Sequence, residues 1–264
     1  MSRNSFAEAL RIQGRVLLAL MLREARTRYG RTRAGYLWAL LEPAVHVTFF
    51  SVLFSLRLMV VPLGHSIVVF LVTGFATYFG FRNVMSRTGG GYGSNEALLS
   101  FPIVRVMDVF LARGLLELAT WLLVTFLMLG ILILLGMAPL PYNVLYMLEA
   151  ILALFAIGFG AGMVIGILSE FWASLRSLMT VPIRLLYFTS ATFFLPDYMP
   201  LGLRTFLVWN PVMHGITLFR EGYYAGYSSP LLDERYLFMW AVGAILFALI
   251  VEKLTRRPLR SLAV

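Results

Sequence analysis

The chain has 264 residues, of which 60% are hydrophobic and only 13% charged, and its mean hydropathy is +0.83. A soluble domain carries about 25% charged residues, so the composition excludes an ordinary soluble protein and indicates several membrane crossings. The net charge of +9 comes almost wholly from arginine, but the arginines flank apolar runs and form no solvated, aromatic-interleaved face, which argues against nucleic acid as a partner. There are no cysteines, so disulfides, thiol catalysis and Cys-ligated zinc are excluded.

Residues 5–28 place Phe6, Leu10, Leu17, Leu20 and Met21 near helical spacing, with Glu8, Arg11, Arg15 and Arg23 elsewhere, as expected of a helix lying in the membrane interface. The charges spread through this stretch leave no apolar core for a cleavable signal peptide. Residues 22–43, LREARTRYGRTRAGYLWALLEP, then pass from an arginine cluster into an apolar run. Arginines beside a span favour the cytoplasmic side, and Tyr36 and Trp38 fall where amphipathic rings prefer the headgroup boundary. This stretch sets the first crossing and its direction.

Span 1 is expected over Leu37–Val61, with a kink at Pro43, and span 2 over Ser66–Phe81, ending at Arg82 and Arg87. Gly89, Gly90 and Gly91 break the helix, and a short amphipathic cytosolic helix follows around Asn95–Arg105. The glycine run carries no lysine of a phosphate-binding loop. Span 3 covers Val109–Leu135, where Arg113 and Glu117 are spaced to pair on one helix face. Span 4 covers Tyr142–Leu168. Its Gly158, Gly160, Gly162 and Gly166 form small-xxx-small pairs suited to close helix approach in lipid. After a brief turn at Glu170–Trp172, span 5 runs over Ser177–Leu195 with Arg184 near its middle, a position that requires a protein- or water-facing side chain. Residues 205–219, TFLVWNPVMHGITLF, are uncharged but too short and too interrupted by Asn210-Pro211 to cross, so they predict a re-entrant helix pair. Span 6 covers Tyr236–Val251, and Arg256, Arg257 and Arg260 close the chain inside.

This arrangement puts 17 of the 22 basic residues on the cytoplasmic side, in keeping with the positive-inside rule for six spans with both termini cytoplasmic. The fold class is thus an all-α membrane protein: an interface helix in residues 1–34, a transmembrane domain in 35–254 with a cytosolic loop at 88–108 and a re-entrant segment at 196–232, and a tail from 255 to 264. His46, His65 and His214 form no metal-binding spacing, no serine sits in a nucleophile elbow, and no paired acids face each other, so catalysis by this chain is not expected. A polar cytosolic loop without an engine fits a transporter driven by an external motor.

LREARTRYGRTRAGYLWALLEP, FPIVRVMDVFLARGLLE and WNPVMHGITLFREGYYAGY, in this order, resemble the membrane subunit of ABC-type capsular polysaccharide exporters of the type 2 ABC permease fold. The resemblance implies a multi-pass inner-membrane protein acting as a homodimer with two copies of an ATPase subunit that carries the ATP and Mg, so that no cofactor is expected on this chain. It implies coupling to the ATPase through Asn95, Glu96, Leu99, Phe101, Pro102, Arg105, Glu170 and Trp172. A periplasmic gate would form from the re-entrant pair, and a channel at the dimer interface would carry a lipid-linked acidic polysaccharide toward a periplasmic co-polymerase adaptor and an outer-membrane channel. Candidate pathway and gate residues are Trp38, Glu42, Arg57, Arg184, Tyr187, Phe188, Trp209, Asn210, Arg220, Glu221, Tyr223 and Tyr224. Aromatic faces stack on sugars and arginines counter carboxylates or phosphates, although core or belt packing explains most single rings. Export of O-antigen or teichoic acid, or an ATPase-independent channel or carrier, stays open at this point.

Overall fold

A computed structural model describes residues 3–29, 35–56, 60–92 and 105–262. The described residues form ten α-helices and no strand: α1 (Arg3–Tyr29), α2 (Gly35–Leu56), α3 (Ile67–Gly89), α4 (Val106–Leu134), α5 (Val144–Leu168), α6 (Leu175–Leu178), α7 (Thr180–Thr189), α8 (Leu201–Leu207), α9 (Pro211–Tyr223) and α10 (Glu234–Leu262). Among the described residues, five stretches are long and apolar enough to cross a membrane: Leu37–Leu56, Ile67–Gly89, Val106–Leu134, Val144–Leu168 and Glu234–Thr255.

The expected first, third and fourth spans lie close to α2, α4 and α5, and the last begins with α10 but stops short of that helix's end at Leu262. The second runs further than read, through Arg82 and Arg87 to the glycines, where Gly90 caps α3. The expected fifth span is not one helix. Its segment is divided into α6 and α7, and regular helix stops at Thr189, before Ala191 with a left-handed φ of 60°. Left-handed backbone at a residue with a Cβ is uncommon and ends a helix, so α7 has ten residues where a crossing needs about 20.

Helix α5 is the hub, packed on α3, α9 and α10. Its glycines explain why. Gly158, Gly162 and Gly166 lie one helical turn apart along the line where α3 approaches, and a Cβ on Gly158 or Gly166 would sit 3.0 Å from the carbonyl of Phe81 or Gly89. Gly162 faces Met85 in the same way. The constant offset along the two chains makes α3 and α5 parallel. Gly160 points to the other side, where a Cβ would lie 2.5 Å from the carbonyl of Ala244 in α10. Small residues on two sides let both neighbours approach backbone to backbone, as association in lipid demands. The packing reading of the glycine string is correct.

Helix α9 runs antiparallel to the first half of α5: Gly222 packs on Met147, and Gly215 on Leu154. Leu154 is ten residues into α5, roughly 15 Å at 1.5 Å per residue. The ends are tied by Tyr142 and Asn143, whose N–H groups donate to the carbonyls of Tyr223 and Gly222 at 3.2 and 2.7 Å. Because α10 begins beside His214 of α9 and passes Gly160 at Ala244, it runs in the same direction as α5. Helix α1 crosses the start of α4, where Gln13 donates to Asp108 and Glu24 pairs with Arg113 at 2.9 Å. Arg113 thus takes a partner on α1, and Glu117, one turn further along α4, is buried.

Candidate functional site

Two groups of arginines define the polar chemistry of the helical body. The first lines an open cleft of about 580 Å³ at the end of the bundle where α3 finishes and α4 begins. Glu24 of α1, Glu42 of α2, Arg82 and Arg87 of α3, Arg113 of α4, and Arg184 of α7 all face it. Four guanidinium groups against two carboxylates leave the cleft positive. Arg82 pairs with Glu42 and lies over the Phe79 ring, 4.7 Å from its centroid. Arg113 binds Glu24 and also donates to the carbonyl of Arg87 at 3.3 Å. The partly exposed Arg82–Glu42 pair contributes only about 0.2–1 kcal/mol, whereas Arg113–Glu24 is mostly buried; both orient guanidinium groups along the cleft. Arg87 and Arg184 are exposed and free to turn toward a ligand. Guanidinium forks match phosphate and carboxylate geometry in bidentate fashion, so the cleft can bind an acidic group at the membrane boundary.

The second group is a single residue. Arg220 of α9 is wholly buried. Its Nη1 donates to the carbonyls of Ala191 and Phe194 at 2.7 and 3.0 Å, its Nη2 to Thr192 at 3.1 Å, and its Nε to Thr73 Oγ1 at 3.4 Å. The guanidinium stacks 4.1 Å from the centroid of Phe70. Gly74 makes room for this cage, since a Cβ there would lie 2.8 Å from Nη2. The chain break after α7 leaves carbonyls without helical partners, and buried unpaired carbonyls are costly. Arg220 satisfies them, so irregular backbone can persist inside a helical bundle. Asn210 works beside it: its Oδ1 caps α9 by accepting from the Val212 N–H at 2.9 Å, while Nδ2 donates to Thr189 and Ser190 at 3.2 and 3.0 Å.

The structure therefore gathers some predicted residues and separates others. Glu42 and Arg184 share the cleft. Asn210 and Arg220 share the break, and Arg220, expected to counter a substrate charge, has every donor group directed at protein. Glu221 accepts from the Ser229 N–H at 2.7 Å, and burial raises its pKa above the usual carboxylate range. Tyr223 donates to the Pro139 carbonyl at 2.8 Å, and Tyr224 is buried against Gly64, whose φ is +73°. Tyr187 lies in a ring cluster with Phe75, Phe79, Phe188 and Phe193 between α3 and α7. Trp38 on α2, Phe188 on α7 and Trp209 in the α8–α9 turn are exposed and lie apart. Of the coupling residues, Arg105 sits at the N-cap of α4, where its N–H donates to Asp108 at 3.0 Å. Glu170 pairs with Arg176 at 3.2 Å, and Phe171 and Trp172 are exposed beside it. Arg57, Asn95, Glu96, Leu99, Phe101 and Pro102 lie outside the described residues. Arg82 and Arg87 were read as topology signals and Arg113 as a partner for Glu117; three positive charges at the adjoining ends of two successive apolar helices were the clue to the cleft.

The chain is similar to several inner-membrane proteins. It is 31% identical over 259 residues to capsule polysaccharide export inner-membrane protein BexB of Haemophilus influenzae, covering 94% of each chain. It is 33% identical over 256 residues to capsule polysaccharide export inner-membrane protein CtrC of Neisseria meningitidis serogroup B, covering 94% of this chain and 93% of CtrC. With polysialic acid transport protein KpsM of Escherichia coli it shares 29% identity over 234 residues, 88% of this chain and 90% of KpsM. The profile of the ABC-2 type transporter family matches residues 15–224. With membrane-competent helices, a positively charged cleft and this match over most of its length, the chain belongs to the ABC-2 type transporter membrane family.

Proposed function

We propose that this chain is the transmembrane subunit of an ATP-driven exporter that moves a lipid-linked acidic capsular polysaccharide across the bacterial inner membrane. The observation that carries the cargo is the cleft: Arg82, Arg87, Arg113 and Arg184 converge at one end of the bundle with a space of about 580 Å³ between them. A phosphate or carboxylate of the lipid-linked end would seat there, with the acyl part in the surrounding membrane. The names of the capsule-export relatives support the same cargo. The chain itself carries no catalytic role in this reading. ATP and Mg belong to a separate ATPase, two copies of which drive a homodimer of this subunit.

The sixth crossing is completed by α6, α7 and the Arg220-held break. The support is directional: α5 and α10 run the same way, so the chain between residues 169 and 233 must return across the bundle. Both termini are then cytoplasmic, and α8–α9 dips in from the periplasmic side as a re-entrant gate. The exposed Phe171 and Trp172 and the 88–108 loop dock the ATPase, and a periplasmic adaptor and outer-membrane channel receive the product.

The test is co-purification of the tagged chain in mild detergent with its ATPase, comparing wild type with a Glu96→Ala, Arg105→Ala variant. The expected result is a bound ATPase whose hydrolysis is lost or uncoupled in the variant. An ATPase that never associates overturns the reading in favour of an uncoupled channel. Replacing Arg87 and Arg184 by alanine is expected to abolish stimulation of hydrolysis by acidic glycolipid while leaving the complex intact. Unchanged stimulation removes the cleft from the pathway.

A further inference from the structure

Helix α9 is fastened at both ends, and the two fastenings differ in chemistry. Its C-terminal half is held by Arg220 on the carbonyls of the α7 break and by backbone hydrogen bonds to Tyr142 and Asn143. None of these titrates near neutrality. Its N-terminal half is held by Asn210 on Thr189 and Ser190, by the Tyr236 hydroxyl of α10, which donates to the Trp209 carbonyl at 2.8 Å, and by His214, which is buried and is the member of this set that titrates near neutrality. His214 Nε2 lies 2.9 Å from the Val208 carbonyl in the α8–α9 turn, and Nδ1 lies 3.0 Å from the backbone nitrogen of Asp233, just before α10. A carbonyl only accepts and an amide N–H only donates, so the ring must donate from Nε2 and accept at Nδ1. That is the neutral imidazole in one defined tautomer. One side chain thus joins α9, the turn before it and the start of α10. Asp233 in turn caps α10, its Oδ1 accepting from the Tyr236 N–H at 2.9 Å, and the Tyr236 ring stands edge-on to His214 with centroids 5.2 Å apart.

We propose that His214 is an acid-sensitive latch that holds the α8–α9 helix pair to the start of α10 when neutral and releases it when protonated. A proton on Nδ1 would point at the Asp233 N–H, turning an attractive contact into a repulsive one and placing a charge in a buried position. Burial favours the neutral ring and moves the pKa of His214 below its ordinary value, with the Val208 carbonyl and the Asp233 carboxylate opposing that shift. The latched state therefore binds the proton less readily than the released state. Latching is complete above the ordinary histidine pKa of about 6.5 and is lost as pH falls below it toward the latched value. The other charged groups on the same cavity of about 760 Å³ are Glu221 of α9 and Glu234 and Arg235 of α10. Beside Gly215, α5 contributes the uncharged Leu154. His214 lines this open-sided cavity, so a proton reaches the ring without crossing the bundle. That the proton comes from the periplasm rests on the topology proposed above; the latch itself does not.

The test is hydrogen–deuterium exchange on the full chain in lipid nanodiscs at pH 7.5 and 5.5, corrected for the intrinsic pH dependence of amide exchange. In wild type, exchange over residues 208–214 and 233–237 is expected to be several-fold faster at pH 5.5, up to the roughly tenfold limit that one histidine of ordinary pKa about 6.5 allows, with residues 144–168 unchanged. His214→Asn, whose Oδ1 can accept from the Asp233 N–H without titrating, is expected to abolish the difference. A His46→Gln, His65→Gln chain, in which His214 is the one remaining histidine, must keep the full acid response even if the Asn variant fails to fold. An unchanged wild type, an equal response in His214→Asn, or a response lost with His46 and His65 overturns the latch. Neither ATPase binding nor export enters this measurement, so its failure leaves the exporter reading standing, and the converse holds.

Discussion

The arginines of the cleft and Arg220 are the same side chain in opposite circumstances. In the cleft, Arg82 and Arg113 are partly matched by Glu42 and Glu24, while Arg87 and Arg184 stay exposed, so donor groups remain for a ligand. At the α7 break, Arg220 has no exposed surface and directs its donors at three carbonyls and a hydroxyl. The difference shows that an arginine at membrane depth is not by itself a substrate residue. Its role follows from whether the protein has already satisfied its donors. An exposed, half-paired guanidinium group keeps donors with which a ligand could be bound, and a buried, fully bonded one holds backbone that has left its helix.

Arg220→Met tests the sharper half of this contrast and carries the largest expected effect. It leaves three buried carbonyls unpaired at about 1–3 kcal/mol each, so a loss of at least about 3 kcal/mol is expected, read as a large fall in thermal stability of the detergent-solubilised protein. Arg220→Lys keeps the charge but lacks the fork to reach all three, and should fall between. A stable Arg220→Met chain would erase the distinction. Gly162→Val comes next: its side chain meets the α3 backbone at Met85, and overpacking of this kind costs about 1–3 kcal/mol, again read by melting. The cleft predicts the reverse pattern. Arg87→Ala with Arg184→Ala should leave stability within about 0.5 kcal/mol, since both side chains are exposed, yet lower capsule export in cells at least tenfold. If stability falls with export, the cleft arginines are structural after all. Least of all, Glu170→Ala removes an exposed pair with Arg176 and should change melting by less than about 1 kcal/mol, so any defect it causes would report on docking at the Phe171–Trp172 turn.

Much of the helical plan was legible along the chain. Apolar runs, Asn143 before α5, the glycines after α3 and Pro211 behind Asn210 are local signals, and they place the starts of α2, α3, α4, α5 and α10 within a few residues. The glycine spacing in α5 even announced which side would be approached closely, because helical period alone puts Gly158, Gly162 and Gly166 in one row. The fifth span departs from the expected single continuous helix. Residues 177–195 are apolar enough for a continuous helix, and nothing within them reveals that Ala191–Phe194 would leave it. The reason lies 29 residues downstream, in an arginine that offers those carbonyls another partner. The same holds for the candidate sites. Arg184 and Glu42 could be singled out as charges in apolar surroundings, but their meeting with Arg82, Arg87 and Arg113 depends on how α2, α3, α4 and α7 end side by side.

Composition and hydropathic period by themselves determined that this protein is helical and belongs in a membrane, because the bilayer acts on each segment separately and requires every span to satisfy its own backbone. Only the tertiary structure decided where that requirement could be relaxed and which arginines were left for a ligand, because both depend on hydrogen-bond partners that segments distant in the chain supply to one another.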